Sequence, residues 1–318
     1  MQRGRELVKG PPLLRADVLR RPSAVNKSPY VADIQLLHSG EETLAHTPSL
    51  DAGGLVGAGK RVFVREESAR RARKTRFTVV GGQSSNDSPV GLEPLVANRI
   101  AHELTCKELG IALPPLDAEV AKKVKSDETT NTRFDFADPE QDVFVEVKSV
   151  PLALDGAAYF PHGTPKKKGE PVSERANKHL RELAHLARHD NAKAVVLFIS
   201  QRNDISKVVP SYEDPTFREA LQDALDAGVI AKAFSVCWHE TGECTLAGEI
   251  AIDMECEPPQ PPTPPKKREQ RERQRSKRKR SGKGNSECKS VEDGEEKNAD
   301  DDNGVAGNEG SVKTRANK

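Results

Sequence analysis

The sequence predicts a mixed α+β and α/β fold in three parts: a small N-terminal β-barrel, a mixed sheet flanked by helices, and a disordered tail. Short alternating runs separated by turn residues occupy the first part, and helical periodicity begins after Pro94. Apolar residues become scarce after Glu257. We therefore place the three parts at residues 13–82, 90–255 and 257–318.

The predicted barrel rests on several short strands within fewer than 80 residues. The strands are expected at 30–36, 42–45, 61–65 and 76–80. Closing such strands into a barrel removes exposed edges, and barrels of the OB type often bind single-stranded nucleic acid. The densest basic patch of the folded part lies here and fits a phosphate-binding surface; it comprises Arg70, Arg71, Arg73, Lys74 and Arg76. A solvated strand edge is the alternative interpretation of this patch.

The second part alternates helices and strands. A helix is expected at 95–104, with Leu95, Ile100 and Leu104 on its buried side. The elements predicted after it are strands at 118–120, around Phe134 and at 143–149, a helix from Ser173 to Arg188, a strand at 193–200, a helix at 214–227 and a strand at 229–238. The order α-β-β-β-α-β-α-β is that of a restriction-endonuclease-like domain.

Three charged residues stand among apolar residues in the second part. Side chains alternate along a strand, so Glu146 and Lys148 share one face of the 143–149 strand. A turn at 137–142 would form a hairpin that brings Asp135 beside Glu146. Carboxylate oxygens suit Mg²⁺ or Mn²⁺, which can promote phosphodiester cleavage beside a lysine. The spacing D-x(10)-E-x-K is that of PD-(D/E)xK nucleases.

Taken alone, this spacing also occurs on ordinary strands. Charged residues two apart often mark a solvated sheet edge. The element order around the motif favours the metal-site interpretation, although a fold by itself does not establish an activity.

Composition narrows the class of protein. The 318 residues carry a formal net charge of +1 and contain no apolar run that approaches a membrane span or signal-peptide core, so we expect neither secretion nor membrane insertion. Five scattered cysteines argue against a disulfide framework and for a reducing, intracellular compartment.

The predicted tail is rich in proline, then basic, then acidic. Its two basic clusters, at 266–268 and 277–280, resemble a bipartite nuclear localisation signal. The expected location is thus nuclear if the source is eukaryotic and cytoplasmic otherwise. Contact with nucleic acid or a solubilising role are the alternatives for these clusters.

Several motifs together resemble the sugar fermentation stimulation protein (SfsA) family over most of residues 13–238. The motifs are Ala97-Asn98-Arg99, Arg133 to Phe136, Val145 to Val150, Tyr159-Phe160-Pro161, Ser173 to Leu183, Ala194 to Phe198 and Gln201-Arg202. The resemblance implies an OB-like DNA-binding domain followed by a nuclease-like domain, with DNA binding as the usual activity.

The resemblance also implies roles for individual residues. Glu119 matches an acidic position before the hairpin and is predicted to be catalytic with Asp135, Glu146 and Lys148, of which Asp135 and Glu146 would hold the metal. Lys178 and Gln201 match polar positions that would face the same cleft, and with Arg99 they are predicted to contact nucleic acid. This chain departs from the family in the loop from His46 to Asp51 and in an inserted basic loop at 162–171.

The leading hypothesis is a DNA-binding protein with a Mg²⁺- or Mn²⁺-dependent nuclease site. A DNA-binding protein without turnover is the second hypothesis. RNA processing stays open because neither the barrel nor the metal site distinguishes the sugars, although DNA is favoured as the partner. The sequence does not predict the oligomeric state.

Overall fold

A computed structural model describes residues 4–48, 53–67, 75–114, 121–123, 131–138, 140–163, 170–189 and 192–256, with the backbone alone for 121–123 and 131–132. The predicted disordered tail at 257–318 lies outside these residues, so its order stays a prediction. The 118–120 strand also lies outside them, next to β8 (Ala121–Lys123), which pairs with β9 (Asn131–Arg133).

The N-terminal part is a closed five-stranded barrel, as predicted. Its strands are β2 (Leu14–Arg20), β3 (Val31–Leu36), β4 (Glu42–His46), β5 (Arg61–Glu66) and β6 (Phe77–Gln83). They are hydrogen-bonded in the order β4-β3-β2-β5-β6, and a parallel β4–β6 pairing closes the barrel. Alternation sends one side of each strand inward; in β2 the inward residues are Ala16 and Val18. β2 was not predicted, because its small and charged residues give a weak strand signal.

A second, larger mixed sheet is built from β1 and from strands that follow α1 in the chain. Its strands are β1 (Glu6–Lys9), β10 (Phe136–Asp138), β11 (Val143–Ser149), β12 (Ala153–Leu154), β13 (Ala157–Phe160), β14 (Lys193–Ser200), β15 (Lys207–Pro210), β16 (Ile230–Trp238) and β17 (Glu243–Ile252). The main path runs β10-β11-β14-β16-β17-β15-β13-β12, and β1 pairs with β17. β11, β14 and β16 are mutually parallel, whereas the predicted hairpin joins β10 and β11 antiparallel. The mixed sheet flanked by helices is confirmed.

The three helices of the described residues cover the two faces of the sheet, which separates two hydrophobic clusters. α1 (Pro94–Lys107) packs with one set of strand residues, and α2 (Glu174–His189) and α3 (Pro215–Asp226) pack with the other. Strand β14 contributes alternate residues to both clusters, which explains its nearly continuous apolar sequence. The prediction that Leu95 lies on the buried side of α1 is wrong: its side chain is 80% exposed, since it stands in the first turn beyond the packed surface.

The short strand β7 (Pro89–Gly91) links the barrel to α1 and is held against the end of β14. The Gly91 amide donates to the Gln201 carbonyl at 2.8 Å, and the Gln201 side-chain amide donates to the Glu93 carbonyl at 2.9 Å. A Cβ at Gly91 would lie 2.4 Å from both Gln201 Oε1 and Trp238 Nε1. Only glycine fits this close approach.

We therefore expect the Gly91→Ala variant to lose about 1–3 kcal/mol of unfolding free energy because the added methyl group overlaps two side chains. Urea denaturation measures this change. The matched control is Gly57→Ala, where the atom nearest to the added methyl group, in the Lys60 side chain, would be 4.0 Å away. Equal midpoints for the two variants would contradict the expected close packing at Gly91.

Candidate functional site

Strand β11 carries Glu146 and Lys148 into the interior. Val143, Val145 and Val147 pack in the cluster on the α1 side, as the alternation predicts. Glu146 is 4% exposed and Lys148 is 7% exposed, so this pair does not lie on a solvated face. Lys148 Nζ lies 2.6 Å from Glu146 Oε1. Because each ion is desolvated, each depends on the other as a partner.

Helix α2 adds His179 to this pair. His179 Nδ1 contacts Glu146 Oε1, and the imidazole packs edge-on against the Phe134 ring at a centroid distance of 6.1 Å. The predicted start of this helix at Ser173 is confirmed, since the Ser173 hydroxyl accepts from the Ala176 amide at 3.3 Å and caps the helix. His179 has no role in the sequence-based predictions. Its place in the buried stripe of α2, three residues after Ala176, was the available signal.

Asp135 lies beside β11, where the regular pairing of β10 ends. Phe136 pairs with Val145, and directly before it the Asp135 carboxylate accepts from the Val147 amide at 2.8 Å. Its other oxygen accepts from the Asn98 side-chain amide of α1 at 2.9 Å. The hairpin thus places Asp135 next to the strand that carries Glu146, as predicted. Asn98 is a further contact for which sequence reasoning had assigned no role.

The two carboxyl groups titrate in opposite directions. Burial, followed by the charge of Glu146, raises the pKa of Asp135, although the Val147 and Asn98 hydrogen bonds and Lys148 oppose the shift. Burial also acts to raise the pKa of Glu146, but its contact with His179 and the charge of Lys148 outweigh burial and lower that pKa. The surroundings therefore favour the charged form of Glu146, whereas burial and the charge of Glu146 disfavour the charged form of Asp135.

One buried atom bears directly on metal binding. Glu146 Oε2 has no hydrogen-bond partner among the residues that the structure describes. A buried carboxylate oxygen without a partner is costly, and an oxygen-liganded cation would satisfy it. The described residues contain no group of three or more His, Cys, Asp or Glu placed to hold a metal ion. Two carboxylates still fit Mg²⁺ or Mn²⁺, which take their remaining ligands from water and phosphate.

The predicted basic contacts are dispersed. Arg70, Arg71, Arg73 and Lys74 lie outside the described residues, as does the predicted catalytic Glu119. Arg76 is exposed on the barrel, where it pairs with Glu66 at 2.8 Å and Glu41 at 2.9 Å. Lys178, next to His179 in α2, lies 3.8 Å from Glu182. Lys178 is therefore adjacent in the helix to the histidine that contacts Glu146.

Gln201 and Arg99 are not grouped with the carboxylates. Gln201 is 1% exposed and contacts β7 and the start of α1, whereas Glu146 and Lys148 lie beneath α2, which supplies His179. Arg99 is exposed and, together with Gln201, lines a cavity that does not include the carboxylates. The predicted residues therefore lie in two places: the carboxylate site beneath α2, and the cavity that Arg99 and Gln201 line.

The structure contains three helices in its described parts, and none of them combines the length and the apolarity that crossing a bilayer requires.

Comparison with known proteins gives one consistent result. Residues 95–242 match the family model described as the sugar fermentation stimulation protein RE domain. A sugar fermentation stimulation protein homolog of Alteromonas mediterranea is 31% identical over 243 residues, covering 71% of this chain and 91% of the relative. The homolog of Shouchella clausii is 30% identical over 232 residues, again covering 71% and 91%.

A solved structure shares the fold. The Pyrococcus furiosus SfsA protein, described in complex with Ca²⁺, superposes with a TM-score of 0.59 at 23% identity. The match covers 78% of this chain and 99% of that protein. The barrel and the large mixed sheet therefore occur together in a known protein of the same architecture.

Because the pKa values of Glu146 and Asp135 shift in opposite directions, neutralising each acid should change the unfolding free energy in opposite directions. The folded pKa of Glu146 lies below its ordinary value of 4.5, so its charge contributes stability above that value that is lost as the pH falls through the folded pKa. Glu146→Gln also leaves Lys148 buried without an anion. We expect a loss of about 3–5 kcal/mol at pH 7 that shrinks in acid.

The folded pKa of Asp135 lies above its ordinary value of 3.8, so ionisation costs stability as the pH rises through the folded pKa. Asp135→Asn should therefore raise the unfolding free energy at pH 7, with Asn98 turning its amide to remain a partner, and the gain should vanish below the ordinary value. Urea titrations at several pH values measure both effects. A loss of stability at pH 7 in Asp135→Asn would refute the assigned direction.

Proposed function

The chain belongs to the sugar fermentation stimulation protein family, and we propose that it binds DNA and hydrolyses phosphodiester bonds with a divalent cation, Mg²⁺ or Mn²⁺. The observation that carries the proposal is the buried Lys148–Glu146 pair, with its unpartnered carboxylate oxygen, beside Asp135. Desolvating two carboxylates and an ammonium has a high free-energy cost. A metal and phosphate site gives a chemical reason for that cost.

Each residue has a role that follows from its contacts. Asp135 and Glu146 would hold the cation through oxygen, with Glu146 Oε2 the oxygen that lacks a partner among the described residues. Lys148, with its ammonium fixed 2.6 Å from Glu146, would orient the attacking water or neutralise the scissile phosphate. His179 contacts the same Glu146 oxygen as Lys148 and would help to position the carboxylate. A bound divalent cation supplies charge stabilisation and a lowered pKa for its water ligand.

Two further points support an oxygen-liganded cation. The Pyrococcus furiosus protein of the same fold was described in complex with Ca²⁺, which takes oxygen ligands like Mg²⁺. Burial and then the charge of Glu146 raise the pKa of Asp135, and a bound cation would oppose both effects. Glu119, which lies outside the described residues, remains the predicted third acid.

The proposed substrate is DNA in preference to RNA, on the strength of the family resemblance. Exposed arginines such as Arg99 would contact phosphates. RNA belongs in the same assay because neither the barrel nor the carboxylates select the sugar.

One observation favours a second candidate, DNA binding without turnover. Both oxygens of Asp135 already accept hydrogen bonds, and the described residues offer no third acid placed at the site. In that case the charge cluster would be a structural feature of a binding protein. Binding would then persist with no cleavage in any divalent metal.

We expect cleavage of DNA with Mg²⁺ or Mn²⁺ to fall at least about 100-fold in Asp135→Asn and in Lys148→Met, since each removes a group that acts on the reacting phosphate. Gel analysis of labelled single- and double-stranded DNA measures the rate. The control is Lys193→Met, an exposed lysine on the adjacent strand β14. Equal rates in wild type and both site variants would assign any cleavage to a contaminant, and no cleavage at all would favour the binding-only candidate.

We also expect Mn²⁺ or Ca²⁺ to raise the melting temperature of the wild-type protein saturably, because a ligand of the folded state adds about 2.7 kcal/mol at 100 times its Kd. Calorimetry at constant ionic strength measures the shift. Asp135→Asn, which lacks one proposed ligand charge, should show a much smaller shift. The same shift in both proteins would place the cation elsewhere.

A further inference from the structure

A cavity lies between the barrel and the large sheet, and it is distinct from the carboxylate site. It encloses about 310 Å³ and is bounded by β1, β5, β7, the first turns of α1 and the end of β16. That volume lies at the lower end of the range for small-molecule sites, which often form where two domains meet. Neither Glu146 nor Lys148 lines it.

The walls of this cavity are mainly apolar, with one large aromatic surface. The indole of Trp238 is half-buried there, and Leu13 and Val96 are its partly exposed aliphatic neighbours along the wall. Aromatic faces that remain accessible in a concave site favour flat, polarisable ligands, and nucleobases stack on them whatever their identity. Trp238 is the single tryptophan of the 318-residue chain.

The charge at the cavity is positive. Arg65 is already matched, since its guanidinium forms two bonds to Glu93 at 2.8 and 3.0 Å. Arg99 differs from it: the described residues provide no hydrogen-bond or ion-pair partner for its exposed side chain. An unmatched guanidinium beside an apolar wall complements a ligand with a phosphate at one end and a flat ring at the other.

We propose that this cavity binds one unstacked nucleotide, with its base against Trp238 and its phosphate at Arg99. The nucleotide can be free or part of a strand, because both present the same base and phosphate. A cavity of about 310 Å³ suits one small ligand such as a single nucleotide. In the strand case the inference rests on the proposed function.

Helix α1 connects the cavity with the carboxylate site. Asn98 donates to Asp135, whereas the adjacent Arg99 and nearby Val96 line the cavity. Asn98 and Arg99 are adjacent residues, so a single helix contributes one side chain to each place.

Tryptophan emission tests the proposal in the intact protein, since it reports on Trp238 alone. The ligands are an oligothymidylate, thymidine monophosphate and, as a control without a base, inorganic phosphate. We expect the first two to quench the emission saturably and phosphate to leave it unchanged. Quenching by the oligonucleotide alone would identify the occupant as a nucleotide within a strand.

Variants show whether the quenching arises from binding in the cavity or from binding elsewhere on the surface. Arg99→Gln should raise the Kd from quenching about tenfold, equivalent to a lost charged contact. The matched control Arg181→Gln, an exposed arginine of α2 paired with Glu174, should leave it unchanged. Val96→Phe, which narrows the cavity without altering charge, should abolish the quenching by both nucleotide ligands.

Anisotropy of labelled DNA distinguishes failure of this proposal from failure of the proposed function. If DNA binds while the emission stays constant and Arg99→Gln binds as wild type, the cavity proposal is overturned and DNA binding stands. If DNA fails to bind, the proposed function falls, and the monophosphate decides the cavity: quenching supports it and constant emission overturns it.

Discussion

The contact between Lys148 and Glu146 is the constraint on which the interior of the large sheet depends. Both groups are buried, so neither can exchange its partner for water. Removing either group leaves the other charge buried without a partner. The same glutamate also contacts His179, so helix α2 must meet β11 at one place along its length. A charge cluster of this kind reduces stability and sets geometry, which is the combination expected where chemistry needs charged groups held in a dry site.

Local sequence patterns predicted much of this architecture. β11 and β14 occupy the predicted residues, because β-branched residues and unbroken burial mark central strands. β1 and β17 escaped prediction, since their pairing joins opposite ends of the described chain and β17 consists mostly of half-buried and exposed residues. Asp135 and Glu146 were identifiable because a buried charge is rare. His179 and Gln201 were harder to place, since their partners Glu146 and Glu93 are distant in sequence.

The junction between the barrel and the large sheet is built from backbone contacts and not from a broad apolar surface alone. Gln201 uses its carbonyl for Gly91 and its side chain for Glu93, so one residue holds both the last barrel-side strand and the start of α1. Because α1 then carries Asn98 to Asp135, the position of the barrel and the position of an acid are set by one continuous segment. Nucleic acid bound across the barrel would thus meet the sheet in a defined orientation.

Asp135 also has a structural role that does not depend on a bound ligand. β10 is the outermost strand of the sheet, and it begins one residue after this aspartate, leaving the Val147 amide of β11 to be satisfied by the Asp135 carboxylate. A backbone amide left without an acceptor in a part-buried place costs about 1–3 kcal/mol. The Asp135 carboxylate supplies that acceptor at the point where the β10–β11 pairing ends. A side chain without an oxygen at this position would therefore leave the Val147 amide unpaired, whereas an asparagine would keep an acceptor there.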